Sequence, residues 1–266
     1  MSSRKTIGLA LGSGAYRGFA HIGVIRALER GGIPIDFLSG ASIGAWAAAY
    51  YAIFRDIGAL EKDLIDNQKE NMSLLLDFGW TRGIISGDKF LAYLDKKLNH
   101  ADFSDLQIPL NIAATDLATG RPYVFSAGSV ARAVRASCAV PLVFKVFEHG
   151  DRLLADGGMS DPVPVDLAVK MGADITIAVN LYHQNEFQEQ KYTESNLLVR
   201  STMTMLSNLS QAVMHQADVV IEPDLSSFVK KSSLAKYFDK QTADAIIKIG
   251  EEAAEQAIPA IRRLLS

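Results

Sequence analysis

The sequence predicts an α/β fold in which a mostly parallel central sheet is covered by helices. Apolar strand-like runs alternate with helical segments from residue 7 onward, and this alternation is typical of βαβ units. Glycine-rich loops follow the first two predicted strands, where parallel sheets usually bind ligands. With 266 residues, 48% of them hydrophobic and 21% charged, the chain can bury a large core. We see no internal repeat and expect residues 1–266 to form a single domain.

The N-terminal part begins with two strand–helix pairs. Ile7–Leu11 is a short apolar run that predicts a strand, and Phe19–Arg30 predicts a helix that ends at a glycine pair. Ile35–Leu38 predicts the second strand. The following segment, Ala45–Phe54, is apolar on nearly every face, which is typical of a buried helix.

The middle of the chain has one segment without a clear period. Residues 71–90 mix leucines, aromatic residues and glycines, which fits either a cap over the site or a connection packed against the core. After it, Asp88–Leu98 predicts a helix, and residues 108–117 and 121–128 predict two strands joined by a turn. Val130–Ser137 predicts another helix.

The C-terminal part continues the alternation and contains a polar loop. Residues 183–196 lack glycine and are polar, so we expect a solvated loop. Pro259 is expected to kink or restart the last helix. The predicted elements are a strand from Arg152, a helix at Val163–Met171, a strand at Asp174–Leu181, a helix at Leu197–Gln216, a strand at Val219–Ile221 and a C-terminal helix.

Composition narrows the compartment and the partners. Cys138 is the single cysteine, so no internal disulfide is expected and the cytoplasm is the default location. A net charge of −3 does not indicate nucleic-acid binding. The longest apolar run, Ala41–Phe54, is too short to span a bilayer. Arg4 and Lys5 precede an apolar stretch that is too brief for a signal peptide.

A candidate nucleophile lies in the pentapeptide Gly40–Gly44, which has the form G-x-S-x-G. The motif directly follows a predicted strand and opens a predicted helix, and a nucleophile elbow requires this context. Small flanking residues permit the sharp turn, and the helix amino terminus directs N–H groups at the reacting centre. Ser42 is therefore a candidate nucleophile. The alternative is a Gly/Ser turn that only leads into a buried helix.

The glycine loop Gly12–Gly18 is the second candidate element. Its glycines can bring successive backbone N–H groups to an anion, and a helix begins directly behind it, so the loop can form an oxyanion or phosphate site. The same spacing, with Asp36 further along the chain, also suits a dinucleotide-binding loop.

A serine nucleophile needs a base within hydrogen-bonding distance. None of the five histidines lies in a glycine-rich turn at a convincing strand end, whereas Asp156 lies in the sequence LLADGGM. Two alternatives remain open. The Asp-Gly-Gly sequence can be a simple β-turn, or His215 can complete a Ser-His-Asp triad, because it follows Asp156 in the chain.

These motifs together resemble the bacterial patatin-like phospholipases. The loop GSGAYRG, the elbow GASIG and the aspartate motif DGG occur in the order of that family, and the similarity covers most of Thr6–Pro223. Further stretches that resemble the family are ATDLATGRPYVFSAG, AVRASCAVP and ADVVIEPD. The resemblance implies a three-layer α/β/α fold and a Ser-Asp dyad that uses neither histidine nor metal, and we expect no cofactor.

The resemblance also implies a role for each motif residue. Ser42 would be the nucleophile and Asp156 the base of a hydrolase that cleaves phospholipid or lysophospholipid esters. The oxyanion-hole and substrate-binding positions would be Ser13, Gly14, Ala15 and Arg17. The sequence departs from the family pattern at Ser13, Ala15, Tyr16 and Asp161, which affects the expected shape of the acyl pocket more than the reaction.

Other classes of function are compatible with the sequence. A nucleotide-binding module would use the loop Gly12–Gly18, and a non-catalytic regulatory protein could use the same scaffold. If the substrate is a lipid, the apolar stretch Leu74–Ile85 is our candidate for peripheral contact with the inner face of the membrane.

Overall fold

The strands form one mixed sheet of eight strands in a computed structural model that describes residues 4–66, 85–141, 143–183, 197–229 and 239–266. The strand order is β5-β6-β3-β2-β1-β7-β8, and β4 pairs with β3. The strands are β1 Ile7–Leu11, β2 Phe37–Ala41, β3 Leu110–Asp116, β4 Pro122–Phe125, β5 Phe147–His149, β6 Arg152–Ala155, β7 Ile175–Val179 and β8 Val219–Ile221.

Helices cover the sheet. They are α1 Phe19–Arg30, α2 Ile43–Phe54, α3 Ile57–Asp66, α4 Asp88–Lys97, α5 Val130–Ser137, α6 Val165–Lys170, α7 Leu197–Val213, α8 Ser226–Val229 and α9 Lys240–Leu265. None of these helices is both long enough and apolar enough to cross a bilayer.

The pairing confirms the predicted fold class. The strands β8, β7, β1, β2 and β3 are parallel neighbours, and β4, β5 and β6 add antiparallel pairs beside β3. Every residue of β1 is buried. Leu9 and Leu11 pack into the main core with α1 and α2, whereas Ala10 packs on the other face with Val165 of α6. Both faces are therefore covered, which gives the three-layer α/β/α arrangement.

The C-terminal helix lies along α1. Gly23 and Gly250 lie so close to the backbone of the facing helix that a Cβ at either position would overlap it. The helix continues through Pro259 without a restart. Pro259 is exposed, while Ala254 and Ile261 are buried on either side of it, so both parts of the helix pack against the core.

Several other bounds differ from the sequence prediction. The second strand begins at Phe37 and extends to Ala41, so that it reaches the elbow directly. Strand β5 and helix α3 form in segments for which the sequence predicts no element. Most of the cap candidate 71–90 and of the polar loop 183–196 lies outside the described residues, so both interpretations stay predictions.

Candidate active site

The backbone at Ser42 has the geometry of a nucleophile elbow. Ser42 joins β2 to α2 with φ 54° and ψ −124°, a conformation that costs a non-glycine residue about 1–3 kcal/mol. The flanking glycines make the turn fit. A Cβ at Gly44 would overlap the Leu11 carbonyl oxygen, and one at Gly40 would lie 2.6 Å from Cα of Ala45. The motif therefore requires glycine at both positions for steric reasons.

The structure brings Ser42 and Asp156 together. The Ser42 Oγ donates a hydrogen bond of 2.6 Å to Asp156 Oδ2, although the two residues are 114 positions apart. The other carboxylate oxygen, Asp156 Oδ1, accepts the N–H of Gly158 at 2.8 Å. Each of the paired side chains is 7% exposed, so the pair is largely shielded from bulk water.

Burial changes the acidity of the carboxyl group. Desolvation raises the pKa of Asp156 from 3.8 to about 6, because the charged form loses hydration. The hydrogen bonds from Ser42 and Gly158 oppose part of this rise, because they stabilise the carboxylate. Asp156 remains largely ionised at neutral pH and is a stronger base than an ordinary aspartate.

The backbone of both residues is held by neighbouring elements. The Ser42 N–H donates to Ser137 Oγ at 2.7 Å, and the Asp156 N–H donates to the Ala139 carbonyl oxygen at 3.0 Å. The Thr115 hydroxyl donates to the Asp156 carbonyl oxygen at 2.7 Å. The end of α5 and strand β3 therefore position the pair.

The backbone N–H groups of the glycine loop after β1 differ in their hydrogen bonding. The N–H of Gly12 donates to Val179, and that of Ser13 donates to Pro162 at 2.8 Å. Within the described residues, the N–H groups of Gly14 and Ala15 have no hydrogen-bond partner. The amides of Gly14 and Ala15 remain candidates for the oxyanion hole, whereas the Ser13 amide is already engaged.

The side chains of Ser13 and Arg17 support the loop from behind. The Ser13 hydroxyl pairs with the Tyr182 hydroxyl at 3.1 Å. The Arg17 guanidinium is buried, with its carbon 5.5 Å from the ring centre of Tyr182 and its Nη1 3.7 Å from the sulfur of Met203. A Cβ at Gly158, two positions after Asp156, would lie 2.6 Å from Ser13 Oγ, so the Ser13 side chain also borders the aspartate turn. The substrate-binding roles of Ser13 and Arg17 stay predictions.

Two of the histidines lie close to backbone carbonyl oxygens. His215 is exposed, and its Nδ1 lies 2.9 Å from the carbonyl oxygen of Ala212, three residues earlier in the chain. His21 is fully buried, and its Nε2 lies 2.7 Å from the Gly12 carbonyl oxygen. Desolvation lowers the pKa of His21 to about 4, so the neutral ring donates to Gly12 and fixes the loop. No local pattern in the sequence indicates this role, although His21 lies three positions after the loop.

The nucleotide-binding interpretation does not fit the topology. Asp36 precedes β2 and pairs with Arg4, and it accepts the N–H of Ile7 at 2.8 Å. It therefore lies at the amino end of the strands, whereas the glycine loop follows their carboxyl ends. A dinucleotide site needs both features at the carboxyl edge. In the described part of the chain, no group of side chains has the composition of a metal site.

Comparisons with known proteins match this chain to one family. The family model described as "Patatin-like phospholipase" matches residues 9–169. An NTE family protein of Mycobacterium tuberculosis is 38% identical over 182 residues, which are 68% of this chain and 50% of that protein. Lysophospholipase nte1 of Aspergillus fumigatus is 33% identical over 196 residues, 72% of this chain and 13% of that protein. The chain thus spans about half, or less, of the length of these relatives.

Solved structures share the fold. VipD from Legionella pneumophila superposes with a TM-score of 0.63 at 15% identity, over 97% of this chain and 67% of that one. The human GIVD cytosolic phospholipase A2, solved with a fluorophosphonate inhibitor, gives a TM-score of 0.51 at 12% identity, over 98% of this chain and 59% of that one. At these identities the likeness concerns the fold alone.

Proposed function

This chain belongs to the patatin-like phospholipase family, and from that premise we propose that it is a serine hydrolase of phospholipid or lysophospholipid esters. The observation that carries the proposal is the 2.6 Å hydrogen bond from Ser42 Oγ to Asp156 Oδ2 at a strained elbow. The fungal relative is named a lysophospholipase, which supports this class of substrate.

In the acylation step, Ser42 attacks the carbonyl carbon of the ester. As the Oγ–C bond forms, the Ser42 proton passes to Asp156 Oδ2, and negative charge develops on the former carbonyl oxygen. The N–H groups of Gly14 and Ala15 would stabilise that charge, and one such donor is typically worth about 2.7–4 kcal/mol. When the intermediate collapses, the leaving alkoxide takes the proton from Asp156 and departs as an alcohol.

In the second step, water hydrolyses the acyl-enzyme. Asp156, again a carboxylate, accepts a proton from the water as its oxygen attacks the acyl carbon. The second tetrahedral intermediate collapses, the Ser42 oxygen regains the proton, and a fatty acid leaves. The raised pKa of Asp156, about 6, makes it a better acceptor of the protons from Ser42 and from water than a solvated aspartate would be.

We propose that the protein acts in the cytoplasm and touches membranes peripherally. Because Ser42 and Asp156 are shielded from water, they can reach an ester at a lipid surface only if an apolar part of the protein contacts that surface. Our candidate remains the stretch 74–85, nearly all of which lies outside the described residues.

The test combines a soluble ester, a lysophospholipid and an active-site label. Wild-type protein should hydrolyse p-nitrophenyl butyrate, release fatty acid from lysophosphatidylcholine and take up a fluorophosphonate probe at Ser42, as shown by mass mapping. Ser42→Ala should lose all three while its thermal unfolding stays near that of the wild type. His215→Ala should keep wild-type turnover, and its inactivity would instead favour a Ser-His-Asp triad.

The same experiment distinguishes a hydrolase from a non-catalytic protein. A folded wild-type protein that neither hydrolyses the ester nor takes up the probe would indicate a non-catalytic regulatory protein on this scaffold. Turnover that survives in Ser42→Ala would contradict the assignment of the nucleophile.

A further inference from the structure

Ser137 lies where the two halves of the dyad meet. It is the last residue of α5, its side chain is fully buried, and it is 95 positions away from Ser42 in the chain. Its hydroxyl makes two short hydrogen bonds, to the Ser42 N–H at 2.7 Å and to the Ala113 carbonyl oxygen at 2.6 Å.

The direction of these two hydrogen bonds is determined by chemistry. A hydroxyl group has one proton, and the Ala113 carbonyl oxygen can only accept. The Ser137 proton therefore points to Ala113, and its lone pairs face the Ser42 N–H. The hydroxyl thus links the backbone of the elbow to strand β3, because it accepts one hydrogen bond and donates the other.

The elbow needs such a restraint. Ser42 has φ 54°, and a non-glycine residue keeps this conformation only where its surroundings enforce it. Without the Ser137 oxygen, the Ser42 N–H would be buried without an acceptor, which typically costs about 1–3 kcal/mol. Rotation of the peptide towards a relaxed conformation would relieve both costs, and it would move Ser42 Oγ away from Asp156.

The same stretch of chain also holds the base. Two residues after Ser137, the Ala139 carbonyl oxygen accepts the Asp156 N–H at 3.0 Å. A Cβ at Gly157, next to the base, would overlap the Ala113 carbonyl oxygen and lie 3.1 Å from Ser137 Oγ. The segment 137–139 therefore contacts the backbone of both dyad residues and sets the distance between them.

We propose that Ser137 is a positioning residue that holds the Ser42 backbone so that Oγ stays within hydrogen-bonding distance of Asp156. The proposal rests on the hydrolase function proposed above. It concerns the rate of the chemical step, because Ser137 is fully buried and does not reach the substrate.

The test compares Ser137→Ala with a matched variant, Ser39→Ala. Ser39 is equally buried, and its hydroxyl also donates to a backbone carbonyl oxygen, that of Pro164 at 2.7 Å, but it bonds to neither dyad residue. Both variants lose one buried hydroxyl, with two hydrogen bonds at Ser137 and one at Ser39. A purely structural role therefore predicts a loss of stability in each variant and no selective loss of kcat in Ser137→Ala. With p-nitrophenyl butyrate, Ser137→Ala should lose kcat by about 100-fold, as expected for a nucleophile displaced by about 1 Å. KM should stay within about twofold, and Ser39→Ala should keep kcat.

A pH profile adds a readout that loss of stability would not change. A weaker Ser42–Asp156 hydrogen bond removes one of the influences that lower the pKa of Asp156, so the acid limb of kcat/KM should move to higher pH in Ser137→Ala only. Ser137→Cys retains a weak acceptor of similar shape and should fall between the wild type and Ser137→Ala. If Ser137→Ala does not fold, Ser137→Cys decides the matter by the same two measurements.

The outcomes are distinguishable from failure of the proposed function. If the wild type is inactive or Ser42→Ala remains active, the hydrolase proposal fails, and the inference fails with it. If those two proteins behave as expected but Ser137→Ala matches Ser39→Ala in kcat and pH profile, only the positioning role is refuted. A loss that appears in KM alone would also refute it.

Discussion

Replacement of Asp156 by asparagine should abolish turnover and change how stability depends on pH. Asparagine has nearly the same shape, and its oxygen can still accept the Gly158 N–H that Asp156 accepts at 2.8 Å. It cannot take a proton from Ser42. The substitution therefore removes one titrating group from the buried pair and leaves the surrounding packing largely in place.

The size of the stability effect follows from the pKa. The carboxyl group has a pKa of about 6 in the folded protein against 3.8 without the protein environment. The folded state therefore binds the proton more tightly, and stability is lost as pH rises from 3.8 through about 6 and stays lost above it. The full loss is about 3 kcal/mol, of which about 2 kcal/mol develops between about pH 4.5 and about pH 8.

Urea denaturation at those two pH values measures the effect. The wild type should lose about 2 kcal/mol relative to Asp156→Asn over this interval, because every other titrating group is common to both proteins. Ser42→Ala keeps the carboxylate but removes a hydrogen bond that stabilises it, so its loss should exceed that of the wild type. Parallel curves for the wild type and Asp156→Asn would show that burial does not raise the pKa of Asp156.

Three further predictions concern other parts of the molecule. Gly44→Ala should reduce both stability and kcat, because its Cβ would overlap the Leu11 carbonyl oxygen; unchanged unfolding and turnover would contradict the close approach. Burial and the neighbouring Asp166 raise the pKa of Asp161, so Asp161→Asn should stabilise the protein more at pH 8 than at pH 5 and retain activity. Replacement of Leu75 and Trp80 by glutamate should weaken binding to phosphatidylcholine vesicles more than hydrolysis of p-nitrophenyl butyrate, whereas equal losses would indicate misfolding.

The elements that sequence reasoning placed well are those with local signals. The ends of β1, α1, α5 and β8 agree with the predictions, because an apolar period, a glycine pair or a proline determines them over a few residues. The three motifs were also local, and the structure places their residues at the carboxyl edge of the sheet. The second strand, Phe37–Ala41, differs from the predicted Ile35–Leu38 because it ends in small residues that have little strand propensity.

What the sequence left open depends on distant contacts. No local pattern shows that Ser137 accepts the Ser42 N–H across 95 positions, or that the Ser13 amide donates to Pro162 and is thereby unavailable. The place of Asp36 is similar, because only the strand register shows that it lies at the edge opposite the glycine loop. Each of these contacts joins residues that are far apart in the sequence, and neither residue alone carries a local pattern that indicates its partner.

The dyad that we propose has no histidine, and its base gains strength from burial. Burial has a consequence for every polar atom near it. A desolvated donor or acceptor without a partner destabilises the fold, so Asp156 has a partner for each carboxylate oxygen, for its N–H and for its carbonyl oxygen. In the same way, the Ser42 N–H is bound by Ser137 and cannot also stabilise an oxyanion. Within the described residues, this leaves the amides of Gly14 and Ala15 as donors that await an acceptor. An ester oxygen that acquires negative charge in the transition state would supply one.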